Sequence, residues 1–335
     1  MKLRILTEAD CRSVLDMAEA IDIQGEAFTL LASGRSVDGL RSFATSDEPP
    51  GVAIFNPCFL KNGGGYGIKV VSDFYDNTKR GVPRMTALVA LFNGETGAPY
   101  TVMEGGYLTD LRTGAGTALA ARYLARKDSR VMTIVGAGRV AINQVEALAT
   151  ELDLTTVLVS SRTRSRADAM IERLRVMGGR VPSDVRYVET AADAVGAADV
   201  VVAATTSETP VVQGQWLKPG TFVASCGAYE PTSREVDSEV MRRITRGVID
   251  SRNDCLSHAG DFVIAASEGI IDLAKVPEIA DLVGGRAEGR KTANEITFYK
   301  SIGVPIQDLV TAQHIEKRAR ERNIGVMIDI GGDHD

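Results

Sequence analysis

The stretch VMTIVGAGRVA, residues 131–141, decides the fold of this chain. Its first five residues form a short apolar, largely β-branched run that is typical of a buried strand. Gly136 then permits a tight turn, Gly138 lets the backbone approach a pyrophosphate, and Ala141 is small enough for close packing of the following helix. The stretch therefore predicts a strand, a turn and a helix whose first N–H groups bind the phosphates of a dinucleotide. A plain glycine turn in an α/β domain that binds another ligand is the alternative.

The end of the next strand indicates which dinucleotide is bound. TTVLVSSR, residues 155–162, is a second buried strand that ends in Ser161 and Arg162. Neither these residues nor Thr163 offers a carboxylate for a ribose 2′-hydroxyl. Arginine and hydroxyl groups suit a 2′-phosphate, so NADP(H) is favoured and NAD(H) is possible; the alternative is that the arginines only solvate a helix start. The candidate cofactor contacts in this half of the chain are Gly136, Gly138, Arg139, Val140, Ser161, Arg162, Thr163, Thr205 and Ser301.

Beyond residue 128, apolar strands alternate with segments of helical periodicity. The helical segment after Arg164 closes at Gly178 and Gly179, and further strands are predicted within VRYVE, VVVAATT, PGTFVASCGA and TRGVIDSR. Strands that are apolar throughout and separated by helices are typical of a parallel sheet covered on both faces. The pattern predicts an α/β Rossmann domain over residues 126–299.

The first 125 residues predict a different architecture. Helical periodicity covers residues 11–32, and glycine-punctuated alternating segments follow in GVAIFN, GGGYGIKVVSDF and PRMTALVALFNGETGAPYTVMEG. This half therefore predicts an α+β domain with an antiparallel or mixed sheet. A strong helix over residues 108–129 is expected to bridge the two domains. The segment 295–325 also has a helical pattern, and residues 300–335 are expected to return to the first domain.

Composition limits the class of protein. The 335 residues suggest two domains, and the formal net charge of −6 argues against general binding to nucleic acid or to an anionic membrane. The four cysteines are far apart, and His258, His314 and His334 do not cluster, so we expect no disulfide framework and no metal site. The start, MKLRILTEAD, lacks a signal-peptide core, and no apolar run of about 18 residues exists, so we expect a cytoplasmic protein without a membrane span.

Five segments in order resemble the ornithine cyclodeaminase/mu-crystallin family. They are GIKVV around Lys69, the N-x-x-x-G-V-P pattern from Asn77 to Pro83, LTDLRTGAGTALAARYLARKDS, IVGAG, and EITFYKSIGVPIQDL. The resemblance runs from about Arg41 to Asp308. It implies an N-terminal domain that binds substrate and dimerises, a Rossmann domain for a nicotinamide cofactor, and a homodimer. It also implies hydride transfer between the nicotinamide and the Cα of an amino or imino acid.

The resemblance also implies roles for individual residues. Arg41 corresponds to an arginine that binds the substrate carboxylate, and Lys69 to the catalytic lysine, which also contacts substrate. Arg112 corresponds to an arginine that holds carboxylate or cofactor phosphate, with Thr113 beside it at a helix N-terminus. A guanidinium binds a carboxylate with two parallel hydrogen bonds, and a lysine among apolar residues can pass a proton to a substrate nitrogen. The alternative for Lys69 is a solvated strand lysine.

Departures from the family pattern narrow the expected reaction. Tyr229 stands where the cyclodeaminases carry a catalytic aspartate, Ile54 replaces a glutamate, and Arg84 replaces a threonine and adds positive charge near cofactor or substrate. The chain is therefore expected to be an NAD(P)H-dependent reductase of 2-imino acids such as pyrroline-2-carboxylate or piperideine-2-carboxylate. The alternatives are an ornithine or lysine cyclodeaminase with bound NAD, in which Glu230 or Tyr229 replaces the aspartate, an amino-acid dehydrogenase of alanine dehydrogenase type, and an NADPH-dependent small-molecule binding protein without catalysis.

Overall fold

The computed structural model describes residues 1–331, which form two compact units. Unit 1 comprises Met1–Arg112 and the chain from Val304 onward; unit 2 comprises Thr113–Gly303. The boundaries expected from the sequence are 125/126 and 299/300. Residues 113–125 and 300–303 were expected in the first domain and belong to unit 2 in the structure. Residues 332–335, which include His334 and complete the predicted 300–335 segment, lie outside the described residues.

The helices and strands follow the chain in this order. The strands are β1 Lys2–Leu6, β2 Ser36–Asp38, β3 Ser42–Asp47, β4 Pro50–Leu60, β5 Tyr66–Phe74, β6 Met85–Phe92, β7 Pro99–Glu104, β8 Val131–Val135, β9 Thr156–Ser160, β10 Asp184–Tyr187, β11 Val200–Ala203, β12 Phe222–Ser225, β13 Arg246–Ile249, β14 Thr297–Lys300 and β15 Val326–Asp329. The helices are α1 Glu8–Val14, α2 Met17–Ala32, α3 Gly105–Leu124, α4 Arg139–Glu151, α5 Arg164–Met177, α6 Ala191–Ala197, α7 Ser238–Arg243, α8 Arg252–His258, α9 Gly260–Ser267, α10 Ile279–Val283 and α11 Pro305–Glu321.

Unit 1 is an α+β domain with a mixed sheet, as predicted. Over the described residues the strand order is β15-β1-β7-β6-β5-β4-β2, and β3 also pairs with β4. The pairing is antiparallel except between β1 and β7. Helix α11 packs against α2 and against β4, β5 and β6. The sequence reading contained neither β1 nor β15.

Strand β5 alternates strictly between a buried and a half-buried face. Gly67, Lys69, Val71 and Asp73 lie on the buried face. Leu309 of α11 stands close to the position where a Cβ on Gly67 would be. Because side chains alternate along a strand, Lys69 points to the same face as Gly67, which is the face covered by helices.

Unit 2 has the predicted parallel sheet. Its strand order over the described residues is β10-β9-β8-β11-β12-β14-β13, and every pairing is parallel. The chain goes from β8 to β9 on one side and later returns to β11 on the other side of β8. Ligands of such sheets bind outside the carboxyl ends of the strands where the order reverses. The turn at Gly136 follows β8 and lies at this point.

Residues 297–300 correct the sequence prediction. They were predicted as part of a helix and instead form β14, between β12 and β13. Phe298 and Tyr299 are completely buried there, and aromatic residues favour a strand. The helix begins only at Pro305, where proline occupies the first turn.

Helix α3 also differs from the expectation. It begins at Gly105, where the Glu104 carboxylate accepts hydrogen bonds from the N–H groups of Gly106 and Tyr107. Arg112 and Thr113 therefore lie in the helix interior and not at its N-terminus. The helix dipole acts over the terminal turns only, so it does not explain the position of Arg112.

Candidate active site

A buried ionic cluster in unit 1 unites two of the predicted residues. The Nζ atom of Lys69 lies 2.7 Å from Asp308 Oδ2, and Nε of Arg112 lies 2.9 Å from Asp308 Oδ1. All three side chains are buried. Asp308 lies in the first turn of α11, where the helix dipole favours a negative charge. One carboxylate therefore orients two cations through its two oxygens.

Burial and charge set the protonation of this cluster. Burial lowers the pKa of Lys69 to about 7; the Arg112 guanidinium acts in the same direction, whereas Asp308 opposes it. Burial acts to raise the pKa of Asp308, but Arg112 and Lys69 outweigh it and hold that pKa below its ordinary value. Asp308 is therefore ionised near neutral pH, while Lys69 can exchange a proton in that range.

Arg41 lies near this cluster and further lowers the pKa of Lys69. Its Nε donates a 3.0 Å hydrogen bond to Oδ1 of Asn56. Asn56 is buried and lies opposite Lys69 in the β4–β5 register. The structure thus brings Arg41, Lys69 and Arg112 together in unit 1.

Two members of the cluster were missed by the sequence reading. Asn56 was visible as a polar residue within the apolar segment GVAIFN. Asp308 lay within the resemblance, but it is 196 residues from Arg112 in the chain, and no spacing rule links them.

The dinucleotide turn in unit 2 has the backbone that the sequence predicts. Gly136 has φ +112°, and a Cβ there would overlap the carbonyl oxygen of Ala204. Gly138 precedes α4, and a Cβ on it would meet open space. Ala141 is completely buried. The first glycine is thus required by the fold, while the second lies beside open space. At the start of α4, Arg139 is exposed and Val140 is half-buried.

A cleft of about 260 Å³ lies at the end of β9. Ser161, Arg162, Val211 and Trp216 contribute to its lining. Glu189, which follows β10, also lines it, and the sequence reading did not anticipate a carboxylate there. Thr163 is exposed and begins α5 without a side-chain capping bond. The cleft therefore combines an arginine and hydroxyl groups with a flat indole surface.

The two remaining predicted cofactor contacts are bonded within unit 2. The backbone N and Oγ1 of Thr205 donate to Glu235 Oε1 at 2.6 and 2.9 Å. Ser301 is buried, and its Oγ donates to Asp250 Oδ2 at 3.2 Å. The hydroxyl groups of Thr205 and Ser301 therefore already donate a hydrogen bond to a carboxylate of unit 2.

The residues that depart from the cyclodeaminase pattern differ in their burial and in their contacts. Tyr229 is half-buried, Glu230 is exposed, and Ile54 is buried within β4. The guanidinium of Arg84 binds both oxygens of Asp73 at 2.6 and 2.9 Å. The predicted extra charge of Arg84 is therefore compensated by Asp73.

Residues 1–331 contain neither a cluster of metal ligands nor a helix suited to a membrane. No group of three or more histidine, cysteine, aspartate or glutamate side chains in this range is arranged to hold a metal ion. None of the described helices combines the length and the apolar character that crossing a membrane requires.

Unit 2, with its parallel sheet and glycine turn, has the Rossmann-type fold of dinucleotide-dependent dehydrogenases. Residues 1–323 match the ornithine cyclodeaminase/mu-crystallin family, and the chain belongs to that family.

Relatives of known name cover nearly the whole chain. It is 32% identical over 330 residues to an alanine dehydrogenase of Archaeoglobus fulgidus, with 98% of each chain covered. It is 28% identical to a Delta(1)-pyrroline-2-carboxylate reductase of Bacillus cereus, over 97% of this chain and 99% of the relative.

Solved structures of the same kinds superpose closely. The Thermococcus litoralis Delta(1)-pyrroline-2-carboxylate reductase in complex with NADH and L-proline has a TM-score of 0.92 at 34% identity, covering 97% of this chain and 99% of that one. An archaeal alanine dehydrogenase dimer with bound NAD has a TM-score of 0.91 at 31% identity, covering 99% and 100%.

Proposed function

We propose that this protein is an NAD(P)H-dependent reductase that converts a 2-imino acid of the pyrroline-2-carboxylate or piperideine-2-carboxylate type to the L-amino acid. The observation that carries the proposal is the buried cluster in which Asp308 holds both Lys69 and Arg112. The similarity to a pyrroline-2-carboxylate reductase solved with NADH and L-proline supports it.

Charge explains why the cluster selects a carboxylate. Lys69 and Arg112 carry two positive charges when both are protonated, and Asp308 compensates one. A buried excess of positive charge is costly unless an anion joins it. We infer that the substrate carboxylate supplies this anion, bound by Arg41, Arg112 and Lys69. A planar guanidinium matches the two oxygens of a carboxylate.

The residues of unit 2 fit a dinucleotide. The space beside Gly138 is open, and a Cβ on this residue would fill part of it. The first N–H groups of α4 are available to bind a pyrophosphate in this space. The nicotinamide supplies a hydride to the imine carbon when the cofactor is bound. Gly136, Gly138, Arg139 and Val140 would hold the phosphates; Arg112 and Thr113, with Thr205 and Ser301, remain proposed contacts to the same cofactor.

We favour NADP(H) over NAD(H). Arg162 and Ser161 line the cleft at the end of β9, where the ribose 2′ position of such cofactors lies. A guanidinium suits a 2′-phosphate, and Thr163 adds a hydroxyl. Glu189 offers an acceptor for a free 2′-hydroxyl, and the similar proteins were solved with NADH or NAD, so direct comparison of the two cofactors decides this point.

Lys69 handles the proton of the reaction. Reduction of an imine to an amine adds one hydride to carbon and one proton to nitrogen. Because its pKa is lowered to about 7, Lys69 can donate that proton near neutral pH and can accept it in the reverse direction. Asp308 orients the ammonium group, and holding the reacting groups in place supplies much of the rate acceleration.

Oxidation of NADPH and of NADH, followed at 340 nm, tests the proposal. The substrates are preformed cyclic imines and 2-oxo acids with ammonium or methylamine. We expect turnover with cyclic imines in the absence of added amine. Ammonia release from ornithine or lysine without net cofactor oxidation would instead identify a cyclodeaminase, and dinucleotide binding without turnover across the panel would indicate a binding protein.

An alanine dehydrogenase is the second candidate, favoured by the 32% identity to the Archaeoglobus enzyme over 98% of both chains. The two reactions share a carboxylate and a hydride at Cα, so the cluster around Asp308 suits both. They differ in the need for ammonia. Turnover of pyruvate only with ammonium, and none with cyclic imines, would assign this activity.

We also propose that two copies of the chain form a homodimer through the unit 1 sheet. The face of β5 opposite to Lys69 carries Tyr66, Ile68 and Val70, all half-buried, and Leu88 of β6 lies beside Val70 and is exposed. An apolar sheet face of this kind is typical of a subunit interface. One similar alanine dehydrogenase is a dimer. Sedimentation analysis should give a dimer for the wild type and a monomer for Leu88→Asp.

We propose a cytoplasmic location on the basis of thiol chemistry. The cysteines form no disulfide bond, and Cys11, Cys58 and Cys255 are buried. Buried thiols that stay outside disulfides are typical of a reducing compartment. Fractionation of cells that express the tagged protein would test this location.

A further inference from the structure

A second buried ionic network, separate from the Asp308 cluster in its residues, lies within unit 2. Lys300 Nζ contacts Asp261 Oδ2 at 2.7 Å, Ser225 Oγ at 3.0 Å and the carbonyl oxygen of Ala228 at 2.8 Å. The Ser225 hydroxyl also lies 2.8 Å from Glu235 Oε2 and 2.9 Å from Asp261. Lys300, Asp261, Glu235 and Ser225 are all buried. Three ionisable side chains are thus buried in contact with one serine hydroxyl or with one another.

Glu235 connects two loops through backbone N–H groups. Its Oε1 accepts from the N–H and hydroxyl of Thr205, directly after β11. Its Oε2 accepts from Gly227 N at 2.7 Å and Ala228 N at 3.3 Å, after β12. Both loops stand at carboxyl ends of parallel strands. Hydrogen bonds to an ionised acceptor are the strong ones, so Glu235 determines the backbone course of both loops.

The two loops and the glycine turn are in direct backbone contact. A Cβ on Gly227 would overlap the backbone of Thr205, and a Cβ on Gly136 would overlap the carbonyl of Ala204. Three consecutive carboxyl ends, of β8, β11 and β12, therefore pack without intervening side chains. A shift of the Gly227 loop has to displace the Thr205 loop, which contacts the dinucleotide turn.

The remaining members of the network hold Glu235 in place. Asp261 Oδ1 accepts from the N–H groups of Glu235 and Val236 at 2.8 and 3.0 Å. Burial acts to lower the pKa of Lys300, but Asp261 and Glu235 outweigh it and raise that pKa above its ordinary value. Lys300 therefore stays protonated near neutral pH and compensates one of the two buried carboxylates, that of Asp261, with which it forms a salt bridge.

Strand order indicates which part of a dinucleotide these loops face. Ser161 and Arg162, which contribute to the cleft, follow β9 on one side of β8. The Thr205 and Gly227 loops follow β11 and β12, on the other side of β8. A dinucleotide that crosses the glycine turn with its adenosine at β9 extends its nicotinamide half toward β11 and β12.

We propose that Glu235, supported by Lys300 and Asp261, is a positioning residue that sets the Thr205 and Gly227 loops for the nicotinamide half of the dinucleotide. The inference rests on the proposed function only in assuming that a nicotinamide dinucleotide binds at Gly136. It assigns Glu235 no contact with substrate or with the reacting atoms.

Calorimetric titration of Glu235→Gln with two ligands tests the proposal. NADPH and adenosine 2′,5′-bisphosphate share the phosphorylated adenosine, and only NADPH has the nicotinamide half. In the variant an amide N–H faces a backbone N–H, and the loss of one charge-assisted bond corresponds to about tenfold or more in Kd. We expect NADPH to bind about tenfold more weakly and adenosine 2′,5′-bisphosphate to bind as in the wild type. Equal weakening of both ligands, or no change in either, would overturn the proposal.

A second variant covers the case in which Glu235→Gln does not fold. Ser225→Ala removes the hydroxyl between Glu235 and Asp261 and keeps every charge; we expect the same selective loss to a smaller degree. Glu172→Gln, at an exposed position of α5, is the matched control and should change neither affinity. These measurements do not use turnover. A wild type that binds NADPH without reducing imino acids would contradict the proposed function, while a selective loss in the variants would still support the role of Glu235.

Discussion

The Nζ atom of Lys69 lies 2.7 Å from Oδ2 of Asp308, in a salt bridge whose side chains are only 4% and 5% exposed. The two residues come from β5 and from the first turn of α11, so the folding of unit 1 itself forms the pair. Removing one partner of a buried pair leaves the other uncompensated and costs about 3–5 kcal/mol. Here Arg112 also contacts Asp308, so loss of Lys69 still leaves the carboxylate paired.

Lys69→Met should therefore fold and still bind NADPH, but turnover should fall by about 10²-fold or more, since a positioned proton donor contributes about that factor. NADPH fluorescence titration and steady-state rates measure the two effects. Lys79→Met, at an exposed position, should behave as the wild type. Unchanged turnover in Lys69→Met would remove Lys69 from the catalytic role.

The pKa of Lys69, lowered to about 7, predicts opposite pH profiles for the two reaction directions. Reduction needs the protonated lysine, so its kcat/KM should fall as pH rises through about 7. Oxidation of the amino acid needs the neutral amine, so its kcat/KM should rise through the same pH. In Lys69→Arg the guanidinium stays protonated. Any pH dependence of kcat/KM that persists in that variant therefore comes from ionisation of the substrate. Wild-type values of kcat/KM that do not change between pH 6 and about 9 would contradict the role of Lys69 as the proton donor.

Asp308→Asn should shift this ionisation. Asp308 raises the pKa of Lys69 against the effect of burial, so its replacement by a neutral amide should lower that pKa further. The falling limb for reduction should therefore move to lower pH, with weaker substrate binding because Arg112 loses its orienting partner. If kcat/KM for reduction falls at the same pH in the variant and in the wild type, Asp308 does not influence the pKa of Lys69.

Arg162→Ala tests the choice of cofactor. Loss of one charge-assisted hydrogen bond, about 1.5–3 kcal/mol, should weaken NADPH binding roughly 10- to 150-fold and leave NADH nearly unaffected. Arg166→Ala, at an exposed position of α5, the helix that follows Arg162, provides the control. If both dinucleotides lose affinity equally, Arg162 does not bind a 2′-phosphate; tighter binding of NADH by the wild type would reject the NADP(H) preference.

The two glycines of the dinucleotide turn should respond differently to alanine. Gly136→Ala forces a side chain to φ +112° and against Ala204, and strain of this kind costs about 1–3 kcal/mol, so the melting temperature should fall. Gly138→Ala has φ −91° and open space, so the melting temperature should hold while dinucleotide binding is lost. Calorimetry and thermal unfolding separate the two outcomes. Tight dinucleotide binding by Gly138→Ala would place the pyrophosphate elsewhere.

The sequence predicts those parts of the fold that depend on residues close together in the chain. The strand–turn–helix at Gly136 follows from its residues, and the parallel sheet follows from the alternation of elements. Residues 297–300 were assigned to a helix because they precede a long helical pattern, whereas their burial between β12 and β13 depends on distant strands. Strand β1 was missed for the same reason, since its partners β7 and β15 lie far along the chain.

The candidate site shows the same division. Lys69 is conspicuous because its charge stands within the apolar segment GIKVV, whereas Arg112 was assigned from the family resemblance. Asp308 and Glu235 sit in ordinary helix-start and loop sequences, and only tertiary contacts reveal that each joins several groups. A carboxylate whose partners come from distant segments leaves no periodic signature in the sequence.

The strict alternation of β5 limits how this segment can change in length. Insertion or deletion of a single residue between the Gly63–Gly65 turn and Lys69 would rotate Ile68 or Val70 toward Asp308 and turn the lysine toward the opposite surface. A two-residue change would restore the parity. Functional descendants of this gene should therefore accumulate substitutions in this strand far more readily than single-codon indels.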